Sequence, residues 1–465
     1  MKILLNFIIV NALILFTLSC KDNINNIEGQ WEGVLNVGTN KLNLVFDFTK
    51  SGDSIIGKFY SIDQTNEAFE CKNTIFFNDT FSVEIPKLHA SYKGILTDSK
   101  TFMGMFTQGG SFPLEIKKKK GEKFDLESED KYLENNDLYT TTNVKIQNKS
   151  ANVVLAGTVT MPKEGTNLPA VILVSGSGPQ DRNETIMEHK PFHRIADFLA
   201  CRGFAVLRYD DRGCFSSTGN FADATTHDFL TDAIAAVGFM KSHENIDPQR
   251  VGVIGHSEGG LIAMMGAAQD TAFNFIVSLA GPTIKGEEIL ILQSTKIDSI
   301  SGVSTEQLIK TKIINSAVYT IVKQATDLKK AKLDIIATIK HYAFNSEMKK
   351  DANAERIANT VLSHWFRTFI IIDPADYLVN IECPTLIMFG EKDLQIPAEE
   401  NRDAFYKMMS TNIPNNFTLI TIEGVNHLFQ KASTGLPSEY SKSENETMNN
   451  ETLNEIYKWL ENNIL

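Results

Sequence analysis

Basic residues are in deficit in this sequence. Lys and Arg number 45 against 57 Asp and Glu, so the formal net charge is -12 and the pI lies near 5.3. With no basic surface to neutralise phosphates, the composition argues against a nucleic-acid partner. The one basic cluster, Lys117 to Lys120, reads as solvated linker. Cysteine is scarce as well, at 5 in 465 residues. Cys71, Cys201, Cys214 and Cys383 are scattered without a Cys-x-x-Cys spacing. That excludes a disulfide framework or zinc site legible in the sequence, and leaves buried free thiols as the expectation. Proline is missing between Pro282 and Pro374, where only Gly286 and Gly302 interrupt the chain. Such a stretch has room for long helices.

Long apolar runs are also missing, apart from one. Lys2 is followed by a mainly apolar stretch from Ile3 to Leu18, long enough for a signal-peptide core and short for a membrane span. It ends at Ser19-Cys20 and turns polar at "KDNINN". This start resembles a bacterial lipoprotein signal, with Thr17 and Leu18 where small or aliphatic residues are usual. The resemblance implies a signal peptide over residues 1–19, Cys20 as the site of lipid attachment, and a protein exported and lipid-anchored in the cell envelope. Simple secretion to the periplasm or beyond, or an uncleaved anchor, are the alternatives.

What is there divides into two patterns. From about Ile27 to Lys118, short runs such as "GQWEGVLNV", "KLNLVFDFT", "SIIGKFYSI" and "TFMGMFTQ" are rich in β-branched and aromatic residues. Gly, Asn, Asp and Ser punctuate them, which predicts a small antiparallel barrel or sandwich over residues 20–125, with Trp31 and the Gly-x-aromatic pairs packing its interior. It carries no catalytic constellation and reads as a structural module, with ligand or carbohydrate binding as the alternative. The segment "KKKKGEKFDLESEDKYLENND" is charged and apolar-poor and reads as the linker.

From Tyr139 a hairpin ("TTNVKIQN", "NVVLAGTVTMP") gives way to apolar strands alternating with helices. "AVILVSGSG", "FAVLRYD", "RVGVIGHS" and "FNFIVSLAG" read as buried parallel strands covered on both faces by helices. Between about 283 and 376 helical periodicity runs through "STEQLIKTKIINSAVYTIVKQA" and "KAKLDIIATIKHYAF", a helical cap inserted into the fold. The alternation resumes at "PTLIMFGEKD" and "FTLITIEGVNH" and closes with the amphipathic helix "ETLNEIYKWLENN". Residues 126–465 are thus expected to form one α/β domain.

The chemistry centres on Gly255-His256-Ser257-Glu258-Gly259, a Gly-x-Ser-x-Gly run between a buried strand and a small-residue helix. Glycines at both ends permit the tight turn that raises a serine above a sheet edge as a nucleophile. A serine hydroxyl needs a base and an orienting acid, expected later in the chain on loops after strands. Of nine histidines only His427 follows a late strand. Asp393 in "TLIMFGEKDLQIP" is the favoured acid, with Glu391 its rival. The oxyanion is expected on the backbone amides of Glu258 and of Ser177 in "SGSGPQDRNE", beside Gly178. Asp210, Asp211 and Arg212, and likewise Asp181 and Arg182, read as buried ion pairs. Trp365 and Phe366, at the end of the cap, are candidates for the substrate pocket, with Phe369 near them.

Residues 139–465 resemble a serine hydrolase of the α/β-hydrolase superfamily. The likeness rests on "SGSGPQDRNET", "RYDDRG" followed by "STG", "GHSEGG", "FGEKDLQIP" and "GVNHLF", in that order. Within the superfamily they resemble a bacterial esterase group, some of whose members carry an N-terminal β module and a lipoprotein-like signal. Cys214 departs from the small aliphatic residue usual there. The resemblance implies a triad of Ser257, Asp393 and His427 acting on carboxylic esters of short to medium acyl chains. The chemistry requires no metal or organic cofactor, and no motif for one occurs. The expected partner is a small-molecule ester, with oligomeric state left open. A peptidase or aminoacyl-ester hydrolase with the same triad is one alternative, and a non-catalytic binding lipoprotein of the envelope is another.

Overall fold

The computed structural model describes residues 27–37, 40–51, 54–61, 65–77, 79–119, 138–187, 189–269, 273–343, 350–409, 414–442 and 447–465. Cys20, the signal-like segment and most of the expected linker lie outside the described residues. The chain forms two compact units, one within residues 1–127 and the other within 128–465.

The first unit is a closed barrel in which eight strands follow one another antiparallel around the ring. They are β1 (Gly29–Val37), β2 (Asn40–Ser51), β3 (Ser54–Ser61), β4 (Thr65–Phe77), β5 (Thr80–Ile85), β6 (Ala90–Asp98), β7 (Thr101–Thr107) and β8 (Ser111–Lys118), with β8 pairing back to β1. Alternation along each strand sends aromatic rings inward. Trp31, Phe46, Phe48, Phe59, Phe81, Tyr92, Phe102 and Phe106 are all buried in one core. Rings lie as close as 4.8 Å (Trp31–Phe102) and 5.0 Å (Phe46–Phe59). A barrel of this size is filled by its own side chains, and closure leaves no edge strand exposed.

Two details depart from the sequence pattern. Strand β4 was not anticipated, because its register shifts between Lys72 and Ile75 and Asn73 has a φ of 50°, interrupting the alternation that marks a strand. The basic run expected to be linker begins inside β8: Lys117 pairs with Glu115, and the Lys118 ammonium lies 5.5 Å from the Trp31 ring centre.

The second unit is built on a sheet ordered β16-β15-β14-β13-β11-β12-β10-β9. Its strands are β9 (Tyr139–Asn148), β10 (Val153–Pro162), β11 (Leu168–Val174), β12 (Ala205–Tyr209), β13 (Ile246–His256), β14 (Ile276–Leu279), β15 (Thr385–Gly390) and β16 (Phe417–Ile422). The hairpin β9–β10 is antiparallel, as is its junction with β12, and all other pairings are parallel. Strands β11, β12, β14 and β15 are buried at every position, which is why they read as unbroken apolar runs rather than alternating ones. Crossovers include helices α1 (Pro191–Ala200), α2 (Thr226–Lys241) and α3 (Glu258–Ala268).

Between β14 and β15 the chain inserts α4 (Gly286–Ile300), α5 (Thr305–Gln324), α6 (Leu328–Tyr342) and shorter helices at Asp351–Val361, His364–Phe369 and Ala375–Leu378. Ile314, Val318, Ile335, Ile339, Ala358 and Phe366 give this layer a core of its own. The architecture is α/β with a helical insertion, alongside a separate all-β domain.

The thiols correct one expectation. Of the four described cysteines only Cys214 is buried, the others being half-buried. Burial still pushes the thiols of Cys71 and Cys383 up, to about 12 and about 11, so neither is a thiolate at neutral pH.

Candidate active site

Strand β13 ends at His256, and the next residue, Ser257, turns the chain into α3 with φ 54° and ψ -116°. A serine seldom adopts a positive φ, and the strain persists because the surroundings determine it. A Cβ on Gly255 would come within 2.0 Å of the Gly259 carbonyl oxygen, and one on Gly259 within 2.0 Å of the Val174 carbonyl oxygen. Both glycines are therefore required for strand, turn and helix to pass this close. The Ser257 amide donates to Leu279 O at 2.8 Å, fastening the turn to the end of β14. Glu258 opens α3, so no carbonyl one turn earlier is available to its amide.

The loop after β11 runs alongside. A Cβ on Gly176 would lie 3.1 Å from Ser257 Cβ, so this backbone touches the serine. Ser177 follows, and among the described residues its amide has no acceptor.

Asp393 lies three residues past β15 and His427 on the loop after β16. His427 Nδ1 is 2.8 Å from Asp393 Oδ2, with both side chains buried. The rival acid is turned away: the Glu391 carboxylate accepts from the Gly424 amide at 2.8 Å on the exposed side of the loop. The structure thus brings Asp393 and His427 into contact. The Ser257 hydroxyl makes no hydrogen bond among the described residues.

The expected ion pairs exist for Asp210, Arg182 and Arg212, but not for Asp211, which accepts from Ser175 Oγ and the Gln180 amide. Arg182 binds Asp210 at 2.7 Å, and Arg212 binds Asp232 at 2.6 Å and Asp228 at 3.0 Å. Asp181 instead accepts from the Thr185 amide and hydroxyl, both at 2.8 Å, and shapes its own turn.

Trp365 and Phe366 also part company. Trp365 Nε1 donates to Glu258 Oε1 at 2.8 Å, tying the inserted helices to the residue after Ser257. Phe366, expected beside it in the pocket, packs instead in the core of the helical layer, 5.4 Å from the Tyr319 ring. The two rings nonetheless stay in contact, with centroids 6.2 Å apart, and Trp365 also packs against that core. Glu258 Oε1 also accepts from Thr226 Oγ1 at 2.6 Å. Burial raises the Glu258 pKa despite these two donors. A cavity lined by Ser175, Gly176, Asp211, Asp232 and Glu258 adjoins the turn.

Two residues that sequence reasoning passed over meet here. His256 Nδ1 lies 2.8 Å from Glu184 Oε1, and its Nε2 lies 2.9 Å from the His427 carbonyl oxygen. Burial alone would lower the His256 pKa, but the charge and hydrogen bond of Glu184, with the His427 carbonyl and the charge of Asp393, together hold it above the ordinary histidine value. Both residues stand inside quoted motifs, "SGSGPQDRNET" and "GHSEGG", and nothing in either motif announces the pairing.

A mostly parallel sheet that raises a strained serine at a strand's carboxyl end is the α/β-hydrolase fold. More particularly, residues 186–431, just over half of the chain, match the family model described as serine aminopeptidase, S33, and the chain belongs to that hydrolase family. Residues 91–280 also match the model described as acetyl xylan esterase. Esterase EstD of Thermotoga maritima is 26% identical over 307 residues, 66% of this chain, and the match spans only 65% of that esterase's own length. Among solved structures, an esterase of Pyrococcus furiosus aligns over 70% of this chain and 92% of its own, at 17% identity and a TM-score of 0.44. A Butyrivibrio proteoclasticus protein with ferulic acid bound aligns over 69% of this chain and 99% of its own, at 18% identity and a TM-score of 0.40.

Proposed function

We propose that this protein is a serine carboxylic-ester hydrolase working through Ser257, Asp393 and His427. The observation that carries the reading is the buried 2.8 Å contact between His427 Nδ1 and Asp393, on loops beyond the same sheet edge as the strained Ser257 turn. His427 takes the Ser257 proton as the hydroxyl attacks the ester carbonyl, while Asp393 holds the imidazole tautomer and stabilises its cation. The amides of Glu258 and Ser177 receive the oxyanion; removing one such donor costs about 2.7–4 kcal/mol of barrier where it has been measured. The alcohol leaves with the proton from His427, and water repeats the sequence on the acyl-enzyme. The substrate is a small ester, supported by the likeness to EstD, and a short to medium acyl chain is what the motif resemblance implies.

The test is hydrolysis of p-nitrophenyl esters from acetate to decanoate by the wild type and by Ser257→Ala. Activity confined to the wild type upholds the reading, and the chain-length optimum measures the pocket. Equal inactivity on every ester removes it. The family description favours a second reading, cleavage of aminoacyl amides by the same residues. Turnover of aminoacyl p-nitroanilides in preference to the esters would establish that instead.

Export with a lipid on Cys20 belongs to the same proposal and is supported by the apolar stretch before it. Incorporation of labelled palmitate into the wild type and its loss in Cys20→Ala test that part separately.

A further inference from the structure

Resting on the serine-hydrolase reading, we propose that Glu184 and His256 form a positioning pair that sets the oxyanion loop and the His427 loop against Ser257. Glu184 Oε1 accepts from the Gly176 amide at 2.7 Å and faces His256 Nδ1 at 2.8 Å. His256 Nε2 reaches the His427 carbonyl oxygen at 2.9 Å. Each end of this chain of bonds lies within one residue of a reacting group. Gly176 precedes Ser177, His256 precedes Ser257, and the last acceptor is the backbone of His427 itself.

The protonation follows from the acceptors. A carbonyl oxygen only accepts, so Nε2 carries a proton. Oε1 accepts from the Gly176 amide and shares one hydrogen bond with His256 Nδ1. Both side chains are buried, 1% and 5% exposed. Buried ion pairs are a poor source of stability compared with apolar packing, so a buried pair at this place calls for a different reason. Its geometry is over-determined. Glu184 itself has a φ of 52°, held by its amide on Asp181 O at 2.9 Å and by the Asp181–Thr185 bonds beside it. The His256 and His427 rings pack with centroids 4.8 Å apart, so a shift of one displaces the other.

The pair touches no substrate, so its loss acts through placement. A misplacement of about 1 Å near reacting atoms costs on the order of 100-fold in rate. The experiment uses the full chain and measures kcat and KM on p-nitrophenyl butyrate per active site titrated with a p-nitrophenyl phosphonate. His256→Phe keeps the ring and removes both donors; Glu184→Leu removes the shared acceptor; Glu184→Gln keeps an acceptor oxygen. The expected result is a fall in kcat of about 10- to 100-fold for the first two with KM within about twofold, and a smaller fall in Glu184→Gln, which keeps the bond to the Gly176 amide. If Glu184→Leu does not fold, His256→Phe and Glu184→Gln carry the comparison. Unchanged kcat per titrated site in His256→Phe, with only fewer sites or a lower Tm, overturns the proposal and makes the pair a structural feature. Ser257→Ala runs alongside: activity surviving there sinks the hydrolase reading itself, whereas its loss there with His256→Phe unimpaired sinks only the pair.

Discussion

His427 Nδ1 and Asp393 Oδ2 are 2.8 Å apart, and the other oxygen of Asp393 accepts from the amides of Gln395 and Ile396, each at 2.8 Å. The carboxylate is thus held from both sides, which gives Asp393→Asn a definite consequence. Two amide donors at Oδ1 demand an oxygen there, so the asparagine turns its NH2 toward His427. Nδ1 must then accept, the ring proton moves to Nε2, and the imidazole can no longer take a proton from serine. The expected outcome is a drop in kcat of about 1,000- to 10,000-fold with little change in Tm. Ester kinetics and a thermal melt on the same preparation check it; near-wild-type turnover would mean that His427 is oriented by something else.

The glycines predict opposite effects at two sites. Gly255→Ala and Gly259→Ala drive a methyl into backbone carbonyls that cannot move aside, at 2.0 Å in each case. Each is expected to destabilise by several kcal/mol, at least the 1–3 kcal/mol typical of overpacking, and to abolish activity. Gly238 lies in the exposed face of α2 with open space around it. There Gly→Ala should stabilise by about 0.5–1 kcal/mol through helix propensity alone, leaving kcat unchanged. Urea unfolding of the three variants separates the cases.

These glycines also mark how much the chain discloses. The parallel strands were legible because burial on both faces makes them continuous apolar runs, and the Ser257 turn because its steric demands leave a signature of glycines. That Asp393 and His427 come into contact was legible by chain order. The partners of Arg182 and Arg212 were not, since those bonds join residues 16 to 28 positions apart and any of several carboxylates would satisfy a guanidinium. Nor was the Glu184–His256 pair, 72 positions apart and joined only because β11 and β13 are neighbours in the sheet. Strand β4 was hidden by a local irregularity rather than by distance.

Asp211 yields a pH prediction. Its carboxyl is held well above the ordinary aspartate value, chiefly by burial, against the opposing bonds from Ser175 Oγ and the Gln180 amide. The folded state therefore keeps a proton that the unfolded chain releases near 3.8. The stability this group contributes is full below that value and is lost as pH rises toward the raised folded pKa. Asp211→Asn carries no such proton. Its Tm relative to wild type should increase as pH rises above about 4 and level off once the raised folded pKa is passed. A difference that stays flat, or falls with pH, would show that Asp211 ionises normally in the folded protein.

Arg212 is the hub of a buried network, and its removal should be costly for a reason that a second substitution can expose. Its guanidinium binds both oxygens of Asp232, at 2.6 and 2.9 Å, and reaches the Thr231 hydroxyl at 2.9 Å. Asp232 takes a further bond from Asn148 at 2.7 Å. Burial raises the Asp232 pKa even with Arg212 present, so desolvation of this carboxylate is only partly compensated. Arg212→Met leaves it unpaired in the interior, and the expected loss is about 3–5 kcal/mol, most of it the penalty on Asp232 rather than the worth of the pair. Removing that carboxylate as well, in Arg212→Met with Asp232→Leu, should therefore recover a large part of the loss, giving a favourable interaction energy in the double-mutant cycle. Additive losses would mean that each residue supports the fold through its own separate contacts, Arg212 through Asp228 and Thr231 and Asp232 through Asn148.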